Sequence, residues 1–374
     1  MRKTPNTSKK TVFVGLSGGV DSSVSAALLL EQGYDVVGVF IKVWQPDFIE
    51  CTWKEERRDA MRVAAHLGIP FLTFDLEGEY KKGVADYMIS EYRAGRTPNP
   101  DVMCNKEVKF GAFLAKARSM GADFVATGHY ARNEFDSSTS LTTGPKRGKW
   151  VMRKGKDAEK DQSYFLWTLG QDKLAHVMFP VGGLRKPEVR RLAERFGLPT
   201  ATKKDSQGVC FLGKLDMKEF LKHYIKEKEG DVLNAKGEII GTHDGAVFYT
   251  IGERHGFSIT EKGANDERYY IVAKDVKKNT ITVSTNAAFS AIAENAAQEL
   301  SVEKCNWIST VMPVIGKKIK ARLRYRQELA ECELVSAKGS DAVIRFARPQ
   351  LTASPGQSIV FYDGEICLGG GIIT

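Results

Sequence analysis

Residues 12–23 place the strongest constraint on how this chain folds. Their sequence, Val-Phe-Val-Gly-Leu-Ser-Gly-Gly-Val-Asp-Ser-Ser, starts as an apolar run, breaks at a Ser-Gly-Gly turn and continues into a helix-forming segment at 24–30. An apolar run of this kind is typical of a strand that is covered on both faces. The glycines permit positive φ and bring backbone N–H groups close to a ligand. A strand, a tight turn and a helix N-terminus in this order predict a binding site for phosphate.

The turn differs from the nucleotide loop that ends in Gly-Lys-Ser/Thr, because no lysine follows its glycines. It resembles the pyrophosphate loop (PP-loop) of the ATP pyrophosphatase superfamily, whose pattern matches Ser17-Gly18-Gly19-Val20-Asp21-Ser22. This resemblance implies that ATP is cleaved between its α- and β-phosphates and that an oxygen atom is activated as an adenylate. An ordinary turn between a strand and a helix is the alternative interpretation.

The amino-terminal third of the chain alternates predicted strands with predicted helices. The strands are expected at 35–43, 71–75 and 124–127, and the helices at 54–67, 79–94 and 106–120. Such alternation implies right-handed crossovers and a doubly wound parallel sheet of the α/β class. In sheets of this kind the ligand lies at the carboxyl ends of the strands, which is where the Ser-Gly-Gly turn is placed.

Later segments change from helical to extended patterns. Residues 136–150 are predicted to form an exposed hairpin or loop, and helices are expected at 188–196 and 216–225. Short strands then follow at 230–241, 246–251, 269–273, 317–325, 329–335, 342–346, 358–362 and 365–368, a spacing that favours a small β-barrel. With boundaries near Gly213 and Asn286, we predict an ATP-binding catalytic domain at 1–213, a central β-rich domain at 214–286 and a C-terminal β-barrel at 287–374.

Composition excludes several classes of protein. Charged residues make up 27% and hydrophobic residues 42% of the chain, as in a globular protein, and no apolar run approaches the ~20 residues of a membrane span. The first ten residues form a basic tail without the apolar core of a secretory signal. Six cysteines without a Cys-x-x-Cys pair do not make a disulfide framework, so we expect a cytoplasmic protein with no membrane partner.

Four of the six cysteines are not expected to take part in chemistry. Three of them alternate with strand residues and are expected to be packing groups: Cys305, Cys332 and Cys367. Cys51 receives no role.

Positive charge is concentrated in two stretches of the chain, whose overall net charge is +9. Residues 146–160 hold seven basic and two acidic side chains, a net of +5, and residues 304–348 hold ten basic and four acidic side chains, a net of +6. The rest of the chain is therefore close to neutral (9 − 11 = −2). Two concentrated basic stretches favour a polyanionic partner such as nucleic acid.

Two of the cysteines stand apart from the others. Cys104 follows the stiff segment Thr97-Pro98-Asn99-Pro100 and precedes a predicted helix, whose dipole, with Lys106 and Lys109, is expected to lower the pKa of its thiol. Cys210 lies in a polar loop with two lysines and a glycine. Two cysteines in such loops, 106 residues apart (210 − 104), suit a pair in which one sulfur carries cargo and the other attacks it. Ligation of a metal or an iron–sulfur cluster is the alternative, although two cysteines are an incomplete ligand set.

Eight motifs, in order along nearly the whole chain, resemble those of the tRNA-specific 2-thiouridylase (MnmA/TrmU) family. They are Gly-Leu-Ser-Gly-Gly-Val-Asp-Ser-Ser at 15–23, Asn-Pro-Asp at 99–101 with Cys104, Ala-Thr-Gly-His-Tyr-Ala at 126–131, Lys-Asp-Gln-Ser-Tyr at 160–164, Asp-Ser-Gln-Gly-Val-Cys-Phe at 205–211, Tyr-Thr-Ile-Gly-Glu-Arg-His-Gly at 249–256, Arg-Tyr-Arg-Gln at 324–327 and Pro-Gly-Gln-Ser at 355–358. One motif alone is a weak signal, whereas eight in order are specific. The resemblance implies an adenine nucleotide alpha hydrolase-like fold for the first domain.

The resemblance also implies a reaction. ATP, with Mg²⁺, adenylates the C2 oxygen of the wobble uridine of tRNA and releases pyrophosphate. A persulfide on Cys210 supplies sulfur, Cys104 attacks that persulfide, and AMP leaves from C2. A Cys104–Cys210 disulfide then forms and must be reduced. The implied partners are the tRNAs for glutamate, glutamine and lysine, and a sulfur donor such as a cysteine desulfurase or a sulfur-carrier protein.

Individual residues acquire expected roles from the same resemblance. ATP is expected to contact Gly15, Leu16, Ser17, Gly18, Gly19, Val20, Asp21, Ser22, Ile41 and Gly128, with Asp21 as a partner of Mg²⁺ and phosphate. Asn99, Pro100 and Asp101 are expected around the target base, which must leave its stack to expose C2. Contacts with tRNA are expected from His129, Lys160, Asp161, Gln162, Arg324, Tyr325 and Gln357. Position 41 is commonly Met in the family, and Ile is a near-isosteric apolar replacement. Arg324 and Tyr325, adjacent on a predicted strand, are expected to face opposite sides.

Two other functions remain open from the sequence. A small-molecule ligase of the same superfamily, such as an argininosuccinate- or GMP-synthetase-like enzyme, would use the same loop but would not require two loop cysteines or a basic barrel. A non-enzymatic RNA-binding protein would explain the barrel and the charge but not the pyrophosphate loop.

Overall fold

The computed structural model of the chain describes residues 9–49, 53–137, 148–205, 210, 216–260, 268–285, 298–350 and 353–374. Within these residues the strands form three sheets. The predicted domain boundaries near Gly213 and Asn286 lie outside the described residues, and so does Cys51.

Helices and strands alternate in the first part of the chain, and strands predominate in the last part. The strands are β1 (Thr11–Gly15), β2 (Asp35–Lys42), β3 (Phe71–Asp75), β4 (Phe124–Ala126), β5 (Ala131–Asp136), β6 (Lys149–Lys154), β7 (Val177–Met178), β8 (Gly230–Leu233), β9 (Ile239–His243), β10 (Ser258–Ile259), β11 (Tyr269–Asp275), β12 (Thr280–Thr285), β13 (Glu299–Trp307), β14 (Lys318–Arg322), β15 (Ala330–Lys338), β16 (Asp341–Phe346), β17 (Ser358–Asp363) and β18 (Ile366–Ile373). The α-helices are α1 (Val20–Glu31), α2 (Trp53–Leu67), α3 (Glu77–Tyr80), α4 (Tyr87–Arg93), α5 (Pro100–Met103), α6 (Leu114–Ser119), α7 (Gln171–Leu174), α8 (Lys186–Arg195) and α9 (Met217–Lys222). Segments of π-helix span Lys81–Asp86 and Cys104–Phe113, and 3₁₀ turns span Ser163–Leu166 and Ala246–Phe248.

The first sheet is parallel and has the strand order β3-β2-β1-β4-β7, with β1 at its centre. Val12 and Val14 are fully buried against apolar side chains of α1 and α2. Phe13 belongs to a second core on the other face, together with Phe74 and Phe113. Helices therefore cover both faces, and the prediction of a doubly wound sheet is confirmed. The strand order reverses between β1 and β4, which opens a crevice at their carboxyl ends.

Two long helical stretches in this domain change winding along their length. α3, the π segment Lys81–Asp86 and α4 follow one another without a break, and so do α5, the π segment Cys104–Phe113 and α6. The helix that was predicted from residue 106 thus begins at Pro100. Segments of π-helix are rare and frequently occur at functional sites.

The central sheet has the strand order β10-β9-β8-β12-β11 and shares its core with α4 of the first domain, through side chains such as Met88 and Ile89. The strand predicted at 246–251 is wrong. This segment begins with the 3₁₀ turn Ala246–Phe248, after Gly245 with φ of 143°. Its side chains do not alternate between core and solvent, because Phe248 and Tyr249 are both buried.

The third sheet contains a closed barrel of six strands in the order β13-β16-β15-β14-β17-β18, and pairing of β13 with β18 closes it. The hairpin of β5 and β6 comes from the first domain and joins this sheet at the pair Arg153–Ile366. The exposed hairpin or loop predicted at 136–150 falls largely on residues 138–147, which lie outside the described chain, and the paired strands β5 and β6 flank them. No helix within the described ranges is both long and apolar enough to cross a membrane.

Candidate active site

The Ser-Gly-Gly turn leads directly from β1 into α1. Gly18 has a φ of 71°, and a Cβ atom at this position would lie 2.5 Å from the backbone oxygen of Glu56 in α2. Only glycine therefore fits at position 18. Gly19 is the N-cap of α1 and supplies no side-chain hydrogen bond to the helix. The first amides of α1 are consequently available to an anion at the positive end of the helix dipole.

Serine hydroxyls fix the shape of this turn. Ser22 Oγ accepts a hydrogen bond from the Ser17 N–H at 3.2 Å, and Ser23 Oγ donates to the Gly19 oxygen at 2.8 Å. Gly128, which follows β4, packs against the turn, since a Cβ atom there would lie 2.7 Å from Ser22 N. The predicted ATP-contact residues of 15–22 and Gly128 thus meet at the carboxyl ends of β1 and β4.

The remaining predicted ATP contact, Ile41, lies near the end of β2, beside Phe74 of β3. Its side chain is buried and belongs to the same core as Phe13 and Cys104. Leu16 and Val20 are buried as well, so these two residues offer backbone rather than side-chain groups to a ligand.

Asp21 stands at the start of α1 within a network of ion pairs. Its carboxylate accepts hydrogen bonds from Tyr130 Oη at 2.7 Å and from Lys186 Nζ at 2.7 and 2.9 Å. Lys186 also lies 2.9 Å from Asp205, which is paired with Lys160 at 2.7 Å. Burial opposes ionisation of Asp205, but Lys160 and Lys186 overcome it and hold the pKa of Asp205 at about 2. Asp205 thus stays ionised near neutral pH.

Cys104 occupies a different position from the one expected. Asn99 Oδ1 accepts a hydrogen bond from the Val102 N–H at 3.2 Å, and Pro100 is the first helical residue, a position that tolerates proline because no N–H is needed there. The second proline therefore starts the helix instead of keeping the chain out of it. Cys104 lies inside this helix, at the first residue of the π segment, and not in a loop before it.

The two predicted sulfur residues come together. Cys104 Sγ donates to Cys210 Sγ across 3.3 Å, and both are free thiols. Cys210 is held by its backbone, since its N–H donates to Asp101 Oδ1 at 2.9 Å and its carbonyl accepts from Tyr80 Oη at 2.9 Å. The residues on either side of Cys210, 206–209 and 211–215, lie outside the described chain.

The two thiols differ in acidity, and not as the sequence suggested. Burial raises the pKa of the Cys104 thiol well above its ordinary value, and the neighbouring Cys210 adds to the rise. The hydrogen bond from Cys104 lowers the pKa of Cys210 and Lys109 adds to this effect, while burial opposes it. The expectation that the helix N-terminus activates Cys104 is therefore wrong, because Cys104 is buried within the helix. Cys210 is the thiol that ionises first.

Several predicted tRNA contacts have partners inside the protein. His129 is buried and bonded to Thr127, and Asp161 is buried and accepts hydrogen bonds from the Gly155 and Ser163 N–H groups. Gln162 accepts from the Tyr130 N–H at 3.0 Å. These three side chains therefore make hydrogen bonds within the protein, close to β4 and the β5–β6 hairpin.

The predicted contacts from the barrel lie next to the first and central domains. Arg324 and Tyr325 fall in the turn after β14, so the expectation that they alternate on a strand is wrong. Arg324 donates to the Ile251 oxygen at 2.6 Å, and the Tyr325 ring lies 4.5 Å from the Phe165 ring. Gln357 donates to the Pro98 oxygen at 3.5 Å, immediately before Asn99. The barrel therefore borders the helix that carries Cys104.

Sequence reasoning missed three groups of this site: Lys186, Tyr130 as a partner of Asp21, and Tyr80 as a partner of Cys210. Lys186 lies 165 residues from Asp21, so no local pattern links them. The three other cysteines that the structure describes behave as packing groups, since Cys332 and Cys367 are buried and Cys305 is half-buried in β13. Among the described residues, no group of three or more His, Cys, Asp or Glu side chains is arranged to hold a metal ion.

Comparison with known proteins gives matches along the whole chain. Three family models match in succession: the tRNA methyl transferase HUP domain at residues 10–214, the tRNA methyl transferase PRC-barrel domain at 218–285 and the aminomethyltransferase beta-barrel domain at 297–373. Among solved structures, a U34-tRNA thiolase NcsA from Methanococcus maripaludis has 18% identity and a TM-score of 0.35 over 60% of this chain and 70% of its own, which is too distant to support an argument about function.

Curated relatives are much closer. The tRNA-specific 2-thiouridylase MnmA 2 of Geobacillus kaustophilus is 46% identical over 100% of this chain and 96% of its own length. The tRNA-specific 2-thiouridylase MnmA of Streptococcus sanguinis is 45% identical over 98% of this chain and 95% of its own. Identity of this extent over the full length shows common descent, and the chain belongs to the tRNA-specific 2-thiouridylase family.

Proposed function

We propose that the protein 2-thiolates the wobble uridine of tRNA, with ATP as the activating substrate. One observation carries the proposal: a single α/β domain holds both a pyrophosphate loop and a thiol pair separated by 3.3 Å. The first feature suits cleavage of ATP, and the second suits transfer of sulfur. The curated relatives are named tRNA-specific 2-thiouridylases, which supports the transfer of sulfur and the tRNA substrate.

The first half of the reaction activates the C2 oxygen of uridine. The amides at the start of α1 are proposed to bind the pyrophosphate end of ATP, and Gly18 and Gly128 allow the turn to pack closely against α2 and β4. Asp21 would offer its carboxylate to Mg²⁺ in exchange for the Lys186 ammonium that it binds in this structure, and Mg²⁺ when bound would neutralise charge on the phosphates. Attack by the C2 oxygen on the α-phosphate expels pyrophosphate and leaves uridine adenylated at C2.

The second half transfers sulfur. The Cys210 thiolate takes the outer sulfur from the persulfide of a donor protein, which leaves as a thiolate, so that Cys210 carries a persulfide. The Cys104 thiol attacks the inner sulfur of the ionised persulfide and gives its proton to the outer one, which forms a Cys104–Cys210 disulfide and releases HS⁻. This sulfide adds to C2, and AMP departs with the original oxygen. A dithiol reductant then restores the two thiols.

Recognition of tRNA is assigned to both the first domain and the barrel. Asn99, Pro100 and Asp101 form the helix start beside the thiols and are proposed to surround the target base. Lys160, Gln162, Arg324, Tyr325 and Gln357 are proposed to contact the anticodon arm, while burial of His129 and Asp161 argues against direct contact by these two. β14 supports a polyanion-binding face, because Lys318 and Lys320 point outward while Ile319 and Ala321 are buried.

Partners and location follow from the same proposal. The acceptors are the tRNAs for glutamate, glutamine and lysine, and the sulfur comes from a cysteine desulfurase or a carrier protein loaded by one. Such a reaction takes place where tRNA and reductant are present, which is the cytoplasm.

Other activities make different demands on the site. Transfer of a methyl group, which two of the matched model names mention, needs neither a pyrophosphate loop nor a pair of thiols. A small-molecule ligase would use the loop but not the thiols. An iron–sulfur route would use Cys104 and Cys210 as ligands, with further ligands from elsewhere.

The test incubates the purified protein with ATP, Mg²⁺, a persulfide donor and unmodified tRNA. Mass spectrometry of the digested tRNA should show 2-thiouridine, formed with release of AMP and pyrophosphate. Cys104→Ser and Cys210→Ser should each abolish thiolation and leave tRNA binding within about twofold. Cys305→Ser, which removes a thiol from the barrel, is the matched control and should retain activity.

Three results would contradict the proposal. Release of pyrophosphate with another acceptor and no 2-thiouridine would favour the ligase. A methylated uridine in the same digest would favour methyl transfer. A stoichiometric iron–sulfur cluster in anaerobically purified protein, required for activity, would overturn the persulfide route.

A further inference from the structure

Lys106 and Lys109 follow Cys104 in sequence, but they point to different surroundings. The side chain of Lys106 is 46% exposed, and its ammonium group pairs with the carboxylate of the adjacent Glu107 at 3.1 Å. Lys109 is turned inward, and its Nζ lies 3.5 Å from His129 Nε2. Of these two lysines, Lys109 is therefore the one that can act on the two sulfurs.

The winding of the helix accounts for this arrangement. Residues three and four apart are neighbours on an α-helix, whereas hydrogen bonds in a π-helix join residues five apart. Cys104 is the first residue of the π segment Cys104–Phe113, and Lys109 is five residues later. The π winding thus brings Lys109 onto the face of the helix that carries the thiol.

The charge of Lys109 acts on both sulfurs of the pair. Its ammonium group donates a hydrogen bond to the Cys210 thiol and interacts with Cys104 and Asp101. Burial disfavours the charged ammonium, but the two sulfurs and Asp101 outweigh it, so the pKa of Lys109 is raised. A positive charge is thereby held close to Cys210 in half-buried surroundings, where solvent screens it less than at the surface.

His129 supports Lys109 from the opposite side. The His129 Nδ1 atom lies 2.7 Å from the Thr127 hydroxyl, and the rings of Phe110 and Phe179 pack against the imidazole at 5.8 and 5.9 Å. Burial, together with Lys109, holds the pKa of His129 well below its ordinary value. A neutral imidazole whose Nδ1 is bonded to Thr127 presents Nε2 as an acceptor for the ammonium of Lys109.

We propose that Lys109 is a catalytic residue of sulfur transfer, which holds the negative charge on Cys210, and that His129 is the positioning residue that orients it. This inference rests on the proposed function for its chemical meaning. The Cys210 sulfur is anionic as it accepts sulfur from the donor, and the released HS⁻ is anionic again when Cys104 attacks. The ammonium stabilises both anions without giving up a proton, since the Cys104 thiol supplies the proton of HS⁻.

The groups that face Cys210 have opposite effects on the stability of its thiolate. Asp101 accepts from the Cys210 N–H and disfavours a thiolate, and Tyr80 donates to the Cys210 carbonyl. The Cys104 thiol and the Lys109 ammonium both favour the thiolate. Removal of the charge at position 109 therefore leaves Cys210 beside the carboxylate of Asp101 and takes away one of the two described groups, Cys104 and Lys109, that favour its thiolate.

The first test measures ionisation of Cys210 without any tRNA. The full-length reduced protein is alkylated with iodoacetamide across a range of pH, and the Cys210 peptide is quantified by mass spectrometry. Lys109→Met should shift the profile by one unit or more to higher pH, which makes alkylation about tenfold slower at neutral pH. Lys109→Arg should restore most of the rate, and Lys106→Met, the matched control on the same helix, should follow the wild-type profile.

A profile for Lys109→Met that coincides with that of the wild type would overturn the proposal, even if thiolation is lost. Thermal melting of each variant identifies a folding defect. If Lys109→Met does not fold, the comparison of His129→Leu with His129→Gln decides the question, and equal profiles for these two variants would overturn the proposal. His129→Gln keeps a hydrogen-bond acceptor and should stay close to the wild-type profile, whereas His129→Leu should shift it in the same direction as Lys109→Met.

The readout separates this inference from the proposed function. If Cys210 alkylation responds to Lys109 but no 2-thiouridine forms with any tRNA, the thiolate assignment stands and the function fails. If thiolation proceeds and Lys109→Met leaves both alkylation and turnover unchanged, the function stands and the role of Lys109 fails.

Discussion

At the scale of single residues, the site depends on groups whose partners are far away in sequence. Asp205 is an example, since Lys160, Lys186 and Arg190 all lie within 3 Å of its carboxylate. The sequence identified Asp205 only as part of a motif, because nothing local shows that three cations converge on it. The same holds for Tyr80, whose hydroxyl bonds to the Cys210 carbonyl. By contrast, Gly18 was predictable, because a turn between a strand and a helix demands positive φ.

We predict that Asp205 makes stability depend on pH in the acid range. The folded-state pKa of about 2 lies below the unfolded value of about 3.9, so its ion pairs contribute fully above pH ~4 and are lost as the pH falls toward 2. Denaturant unfolding at several pH values should show Asp205→Asn less stable than the wild type at pH 6, with the difference shrinking as the pH falls toward 2.

Asp363→Asn serves as the control for this experiment. It removes an exposed carboxylate that pairs with Lys317 at 2.7 Å on the barrel, where solvent screens the interaction. It should change stability little at any pH. A constant difference between wild type and Asp205→Asn from pH 6 to pH 2 would contradict the assignment.

At the scale of elements, the helix from Pro100 to Ser119 shows where sequence reasoning succeeds and where it stops. The sequence predicted a helix here but started it at residue 106, because two prolines suggested a loop. Asn99 as the cap and Pro100 as the first residue form a standard helix start, because proline is common at the first helical position. This pattern was present in the sequence and would have placed the start correctly. The π winding could not be predicted, since no residue type specifies it. Both differences matter, because they place Cys104 inside the helix and Lys109 beside it.

We predict that the Asn99 cap holds this helix start in place. Asn99→Ala removes the bond to the Val102 N–H, which should cost about 1 kcal/mol of local stability. Hydrogen exchange at the amides of residues 101–104 should then accelerate roughly fivefold, as the Boltzmann factor for 1 kcal/mol requires. Asn99→Ser, which retains a capping oxygen, should exchange like the wild type. Equal rates for the alanine and serine variants would show that the cap is not what holds this turn.

At the scale of the whole molecule, the chain was predicted best where contacts are local. The alternation of strands and helices predicted the parallel sheet, and the regular spacing of short strands predicted the barrel. The way the barrel meets the first domain was not predictable, because it rests on pairs such as Arg153–Ile366 and Tyr164–Ser358, which are separated by about 200 residues. Tyr164 donates to the backbone oxygens of both Leu323 and Ser358, so a side chain of the first domain is bonded to two segments of the barrel.

The closeness of Cys104 and Cys210 has a consequence for the unfolded chain. A bond between these sulfurs would close a loop of 106 residues (210 − 104). In the chain-entropy account, the lost conformational entropy raises the free energy of the unfolded state by about 4–5 kcal/mol. We therefore predict that the oxidised protein melts at a higher temperature than the reduced one, as scanning calorimetry with and without a dithiol would show. Cys104→Ser should abolish the difference, and equal melting temperatures for both redox forms of the wild type would contradict the prediction. The form that has just delivered its sulfur would thus be the harder one to unfold, and each reduction would return the chain to a less constrained molecule.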